Sequence, residues 1–337
     1  MVMDVCLSKL CLVMLMIMML LSISNIMLAD SAKTEILVIT TIKPMHDIIE
    51  SVIDEGIAVE NIVPPGVDPH KYEVPLRELT KYLRRADIVI TSGPKHTVTE
   101  ERIFKLRSEG LVNATVLGFQ DYVLHGLRPL KVDNSINYHG FFFSLSGVRA
   151  ILLTFMDSLM KINYSKLSVV KAKSMKYLDT LTRIYVYGAK KYGGLRVALY
   201  SPILQYVVHD LNISTITIIV PELGVEPSLA KLNHVKDLYR KGEIDCVLLT
   251  DADLNHNPKI TSFLEESGIT YVVINVTGED PYDVVLGLLT EIPKCTLHTE
   301  LNIVPQQDLT ELTLALAISN IVLLTVLATL IIRITHR

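Results

Sequence analysis

Pro64-Pro65-Gly66-Val67-Asp68-Pro69-His70-Lys71-Tyr72-Glu73 lies between an apolar run, residues 58–63, and a helical pattern that starts near Leu76. A buried strand, a stiff turn and a helix in that order form the repeating unit of a parallel α/β sheet. Three prolines and a glycine leave the turn few conformations, so the one imidazole it carries is held at nearly fixed geometry. A metal ligand gains from that rigidity, because a mobile one loses conformational entropy each time it binds. The competing reading is a rigid surface turn whose histidine is incidental.

The same rhythm continues on both sides. Residues 36–40 read as a buried strand, followed by a helix over 44–54. Pro75 opens a helix over 76–85, and a strand at 88–91, a helix at 100–108 and a short strand at 115–117 follow. The second half repeats the pattern, with strands at 197–200, 214–220, 246–250 and 271–276. Its helices start at Pro202, span 228–241, lie near 258–267 and start again at Pro281. Between the halves, residues 165–192 are almost free of Gly and Pro, and Met175, Leu178, Leu181 and Tyr185 recur at helical spacing. The predicted fold is α/β: two lobes, each with a mainly parallel β-sheet flanked by helices, joined by one long helix. Gly193-Gly194 ends that helix.

The chain ends differ in kind from its middle. Lys9 precedes an unbroken apolar run over 10–21, and 22–32 turn small and more polar, the pattern of a secretory signal in residues 1–32. Residues 312–332 carry no charge over a length that suffices for a spanning helix. Asp308 and Glu311 precede this run, and Arg333, His336 and Arg337 follow it. Positive charge on the C-terminal side places that end in the cytoplasm and the rest outside. The predicted organisation is a signal at 1–32, an N-terminal lobe at 33–164, a linking helix at 165–192 and a C-terminal lobe at 193–295. A stalk at 296–311, a transmembrane anchor at 312–332 and a cytoplasmic tail at 333–337 complete it.

Cys246 and Cys295 are the cysteines that remain beyond the signal; an extracellular setting permits a disulfide between them, and the sequence does not require one. Sequons at Asn113, Asn163, Asn212 and Asn275 fit a surface location. A formal net charge of −4 argues against nucleic acid as partner. No HExxH or GxSxG motif is present, which argues against a hydrolase of either kind.

In open parallel sheets, ligands bind beyond the carboxyl ends of the strands. His46 follows the first strand, His70 the second and His96 the third, while His139 comes later, in Asn137-Tyr138-His139-Gly140-Phe141-Phe142-Phe143. The second half puts Ser201, Asp251, Asp253, His256, Glu279 and Asp280 on the corresponding rim. A cleft with imidazoles on one side and carboxylates on the other is therefore predicted. Such a donor set suits Zn2+ and, with more oxygen, Mn2+ or Fe2+. His125, His209, His234 and His298 read as surface or packing residues.

Four segments carry a resemblance to a known family. Val-Ile-Thr-Thr-Ile-Lys-Pro at 38–44, Val-Pro-Pro-Gly-Val-Asp-Pro-His-Lys-Tyr-Glu at 63–73, Ala-Asp-Ile-Val-Ile-Thr-Ser-Gly at 86–93 and Glu-Pro-Ser at 226–228 resemble the cluster A-I solute-binding receptors of zinc and manganese ABC importers. The resemblance implies that His70 binds metal and that His139 is the second ligand. The family's third position, a histidine or glutamate, is occupied here by Ser201, and the fourth falls around Thr277, with Glu279 and Asp280 just beyond. Completion of the set by Asp280, by His96, or by Asp251 or His256 across the cleft is left open. The resemblance further implies a monomer that carries Zn2+ or Mn2+ as transported ligand to an ABC permease. A receptor of the same fold for a non-metal solute, and a surface adhesin or structural module, are the alternatives.

Overall fold

The computed structural model describes residues 35–296 apart from Pro65, Gly66, Asp68 and Lys95. The predicted signal, anchor and cytoplasmic tail, and the stalk beyond Thr296, lie outside the described residues. Among the described residues, no helix is long and apolar enough to cross a membrane.

Two four-stranded parallel sheets organise the chain. The first has the order β2-β1-β3-β4, with β1 at Ile36–Thr40, β2 at Ile57–Asn61, β3 at Ile88–Ile90 and β4 at Thr115–Leu117. The second has the order β10-β9-β7-β8, with β7 at Arg196–Leu199, β8 at Ser214–Ile218, β9 at Cys246–Thr250 and β10 at Tyr271–Ile274. A two-stranded antiparallel ribbon, β5 at Lys131–Val132 with β6 at Ser135–Ile136, lies between them in sequence.

The inner strands are apolar apart from Thr40, Arg196 and Thr250 at their ends, because both faces are covered. Along β1, Ile36 and Val38 enter one core, whereas Leu37 and Ile39 enter a second with Leu79, Leu83 and Ile103. In β9, Cys246 and Leu248 face one way and Val247 and Leu249 the other, towards Val235 and Leu264. The period of two thus assigns each residue its layer. The inward faces of both sheets share a single continuous core, in which Val38 and Val197 are joined through Phe141, Phe155 and Tyr185. That shared core makes the two halves one packed body.

Helices α1 (Lys43–Glu50), α2 (Leu76–Arg85) and α3 (Val98–Ser108) serve the first sheet. The short α4 (Phe119–Leu124) leads towards α5 (Leu145–Ile162) and the long α6 (Tyr164–Tyr192). Asn163 separates the last two and caps α6 by accepting the N–H of Ser165 at 3.1 Å. The helix joining the halves is therefore present, but its buried stripe differs from the predicted one. Val170, Tyr177, Leu181 and Tyr185 face inwards, while Met175 is 62% exposed. Lys173 Nζ ties α6 to the Ile53 carbonyl, and Tyr185 Oη donates to the Phe143 carbonyl at 3.0 Å.

The second half carries α7 (Gln205–Asp210), α8 (Leu229–Arg240), α9 (Asp251–His256), α10 (Ile260–Glu266) and α11 (Pro281–Glu291). Cys246 and Cys295 are joined in a disulfide with their Cα atoms 5.3 Å apart. The bond fastens the end of the described chain to an interior strand.

Candidate metal centre

Three histidines meet at the carboxyl ends of the first sheet's strands. His70 follows β2, His96 lies between β3 and α3, and His139 follows β6. One nitrogen from each ring lies within 4.8 Å of one from each of the others. Ring centroids are 4.8 Å apart for His70 and His96, 4.8 Å for His96 and His139, and 5.4 Å for His70 and His139. His96 Nε2 stands 3.2 Å from His139 Nδ1. Two ligands on a tetrahedral zinc with bonds of about 2.0–2.1 Å are roughly 3.3 Å apart, so this pair already has the spacing of shared ligation.

Local backbone explains the placement. Gly93 has φ +148°, a region that side chains resist, and a Cβ there would meet Phe119 and Tyr138. His139 is held by its own N–H, which donates to Asn137 Oδ1 at 2.8 Å. Asn137 Nδ2 reaches the Pro202 carbonyl at 3.0 Å and Gln205 Oε1 at 2.9 Å, and Tyr206 Oη donates to the Asn137 carbonyl at 2.8 Å. The loop bearing His139 is thereby fastened to the second half as well as the first.

Behind His96 lies a polar chain that sequence reasoning did not find. Glu100 is fully buried, and Ser92 donates to it twice, from its N–H to Oε1 at 2.7 Å and from its hydroxyl to Oε2 at 2.6 Å. Thr41 Oγ1 donates to Oε1 as well. With Glu100 ionised, the hydroxyl hydrogen of Ser92 goes to its Oε2, and in the Ser92–His96 contact the ring's Nδ1–H is then the donor. That tautomer turns the Nε2 lone pair towards His139. The spacing Ser92, His96, Glu100, in steps of four, was the available signal.

Burial keeps the His96 and His139 rings neutral. Burial lowers the His139 pKa to about 4, with the neighbouring His70 adding to the effect. For His96, burial again comes first and the other two imidazoles second, and the pKa falls well below the usual value. Burial pushes the Glu100 carboxyl upwards against the pull of its hydrogen bonds from Ser92 and Thr41. Neutral imidazole is the form that binds a metal.

The carboxylates predicted to face these rings do other work. Asp251 Oδ1 accepts the Val276 N–H at 2.7 Å and lies 3.3 Å from the Thr277 nitrogen. Asp253 Oδ2 accepts from both the N–H and the hydroxyl of Thr250, each at 2.8 Å, as the capping box of α9. Asp280 caps α11 by accepting the Asp283 N–H at 2.9 Å, and neither it nor Glu279 lines the cleft. The structure thus does not bring Asp280 to the rings: an Asp before a helix-opening proline is held by the orphan amides of that helix. Ser201 is buried beside Asp253, and its Oγ finds no partner at hydrogen-bond geometry. His46 also stands apart, with its Nδ1 3.2 Å from Asp47 on its own helix.

The cleft between the sheets measures about 280 Å3 and is mostly apolar, with Phe142, Phe143, Leu223 and Val276 among its walls. His256 lines it from the second half, together with Asn255 and Thr277.

Paired parallel sheets with a cleft at their strand ends define the class of two-lobed α/β binding proteins, and solved members share this fold. The SBP FpvC from Pseudomonas aeruginosa, in complex with Mn2+, has a TM-score of 0.64 at 16% identity, covering 79% of this chain and 99% of that one. The periplasmic metal binding protein from Candidatus Liberibacter asiaticus has a TM-score of 0.61 at 17% identity, over 77% and 98% of the two chains. A manganese ABC transporter substrate-binding lipoprotein, ScaA of Streptococcus gordonii, is 38% identical over 64 residues, 19% of this chain and 20% of that protein. The match thus spans about a fifth of that relative's length. The family described as zinc-uptake complex component A, periplasmic, matches residues 38–284, and the chain belongs to it.

Proposed function

We propose that the protein captures a divalent transition metal, Zn2+ or Mn2+, outside the cell and delivers it to the permease of an ABC importer. The observation that carries this reading is the convergence of His70, His96 and His139 in a chain of this family. The names of its relatives, a zinc-uptake complex component and a manganese transporter lipoprotein, point the same way. The mechanism is binding without covalent chemistry. Neutral imidazoles replace the metal's water, and the rim of the cleft presents the loaded protein to its permease.

In this reading, residues 33–164 and 193–295 are the two lobes, 165–192 is the link, and the run at 312–332 tethers a monomeric receptor whose tail at 333–337 is cytoplasmic. The uncharged run and the basic residues after it support the tether. His70→Ala tests the site. Calorimetry is expected to show zinc affinity reduced by about a hundredfold or more, beyond the 10–100-fold that even an outer-shell change costs. Equal affinity in both proteins would remove His70 from the site.

The apolar cleft of about 280 Å3 exceeds what a bare ion fills and favours one rival, a non-metal solute. Metal content by mass spectrometry, on protein purified without chelator, separates the two: near-stoichiometric metal supports the receptor reading, and its absence supports the rival.

A further inference from the structure

We propose that the metal's protein ligands all come from the first half of the chain, with His96 standing in for the ligand that Ser201 cannot supply. Glu100, acting through Ser92, is its positioning residue. This inference rests on the metal-receptor reading above and specifies its donor set.

Among the described residues, no carboxylate of the second half lines the cleft. Asp251 accepts from the backbone at Val276, Asp253 from Thr250 and Asp280 from Asp283, which holds each side chain where it stands. Ser201 lies under the wall of the cleft rather than on it, and a neutral hydroxyl is a poor ligand for a divalent ion. His256 lies against Gly224, and its nitrogens fall outside the 4.8 Å that groups the other three.

The first half, by contrast, holds a completed set. His96 is held by Ser92 on its Nδ1 side, and its Nε2 faces His139 Nδ1 at 3.2 Å. Burying a carboxylate is costly unless the charge is well compensated, and Glu100 accepts two hydrogen bonds from Ser92, the residue that holds His96, and one from Thr41. A carboxylate behind a ligating imidazole fixes the ring and raises its basicity, and such outer partners are worth about 10–100-fold in metal affinity. Here the carboxylate acts across one serine hydroxyl.

The test uses the full chain loaded with Zn2+ alone, with X-ray absorption to count imidazoles and calorimetry for affinity. Wild type is expected to show three imidazoles. His96→Ala is expected to show two, with affinity reduced about a hundredfold or more, beyond the outer-shell range. Ser201→Ala should stay within about twofold of wild type, since its side chain does not line the cleft. Glu100→Gln should keep three imidazoles and lose about 10–100-fold. Where Glu100→Gln fails to fold, Ser92→Ala cuts the same link while leaving the charge in place. A residue that merely supports the fold would lower the melting temperature of the metal-free protein and leave zinc affinity unchanged. Wild-type affinity in His96→Ala, or a loss in Ser201→Ala as large as in His96→Ala, would overturn the proposal while leaving the receptor reading intact. A wild-type chain that takes up no zinc would overturn both.

Discussion

Two imidazole nitrogens 3.2 Å apart, His96 Nε2 and His139 Nδ1, cannot both carry a proton, and burial disfavours a charge on either ring. For His139 the folded value is about 4 against 6.5 for the free side chain. The unfolded chain therefore binds more protons across that window, and stability of the metal-free protein falls as pH drops from 6.5 towards 4. Above 6.5 this contribution is flat, because the ring is neutral in both states. Urea midpoints of the metal-free protein taken across that range should decline, and His139→Phe should flatten the decline. A second consequence concerns metal choice. Three nitrogen donors without a carboxylate favour zinc over manganese, which sits at the weak end of the divalent series and prefers oxygen. Competition with equal Zn2+ and Mn2+ should leave zinc bound, and retention of manganese would point to oxygen ligands in the site.

Among the elements, the short turn at Phe141–Phe143 shows how tightly the site is framed. Gly140 has φ +70°, and a Cβ there would come within 1.7 Å of the Ile203 carbonyl oxygen. Gly140→Ala should destabilise by about 2–3 kcal/mol or more, since both backbone strain and a clash are incurred. Denaturant melts measure this, and an unchanged midpoint would show that the loop yields. The strands were readable because a parallel sheet covered on both faces leaves unbroken apolar runs. β4 and β9 matched their expected bounds, and so did helix α2. Helix α5 was not recognised, although Val148, Ile151, Leu152 and Phe155 recur at the spacing of a single helical face. His70 could be picked out because its turn is stiff in any context. Sequence sets His96 only slightly above His46, since both follow a strand. What separates them is a buried glutamate that reads locally as one more charge in the first turn of α3. The acids of the second half misled for a related reason. Their types suit metal, but their positions at helix starts commit them to backbone amides.

At the scale of the whole molecule, the shared core joins the halves, and the bond between Cys246 and Cys295 closes the last 49-residue separation. Chain-entropy reasoning gives about 4 kcal/mol for a loop of that length, an upper value where the reduced chain keeps structure. Reduction, or Cys295→Ser, should lower the denaturation midpoint by up to that amount without altering zinc affinity, because neither sulfur approaches the three rings. The bond also decides how the fold answers a mechanical pull. Tension entering from the chain beyond residue 296 meets the sulfur of Cys295 first and passes straight into β9, a strand flanked by β10 and β7. The terminal helix is bypassed, so it cannot be peeled away turn by turn. Release of β9 then requires parting it from both β7 and β10, so load from that side is carried by the middle of a sheet rather than by its edge.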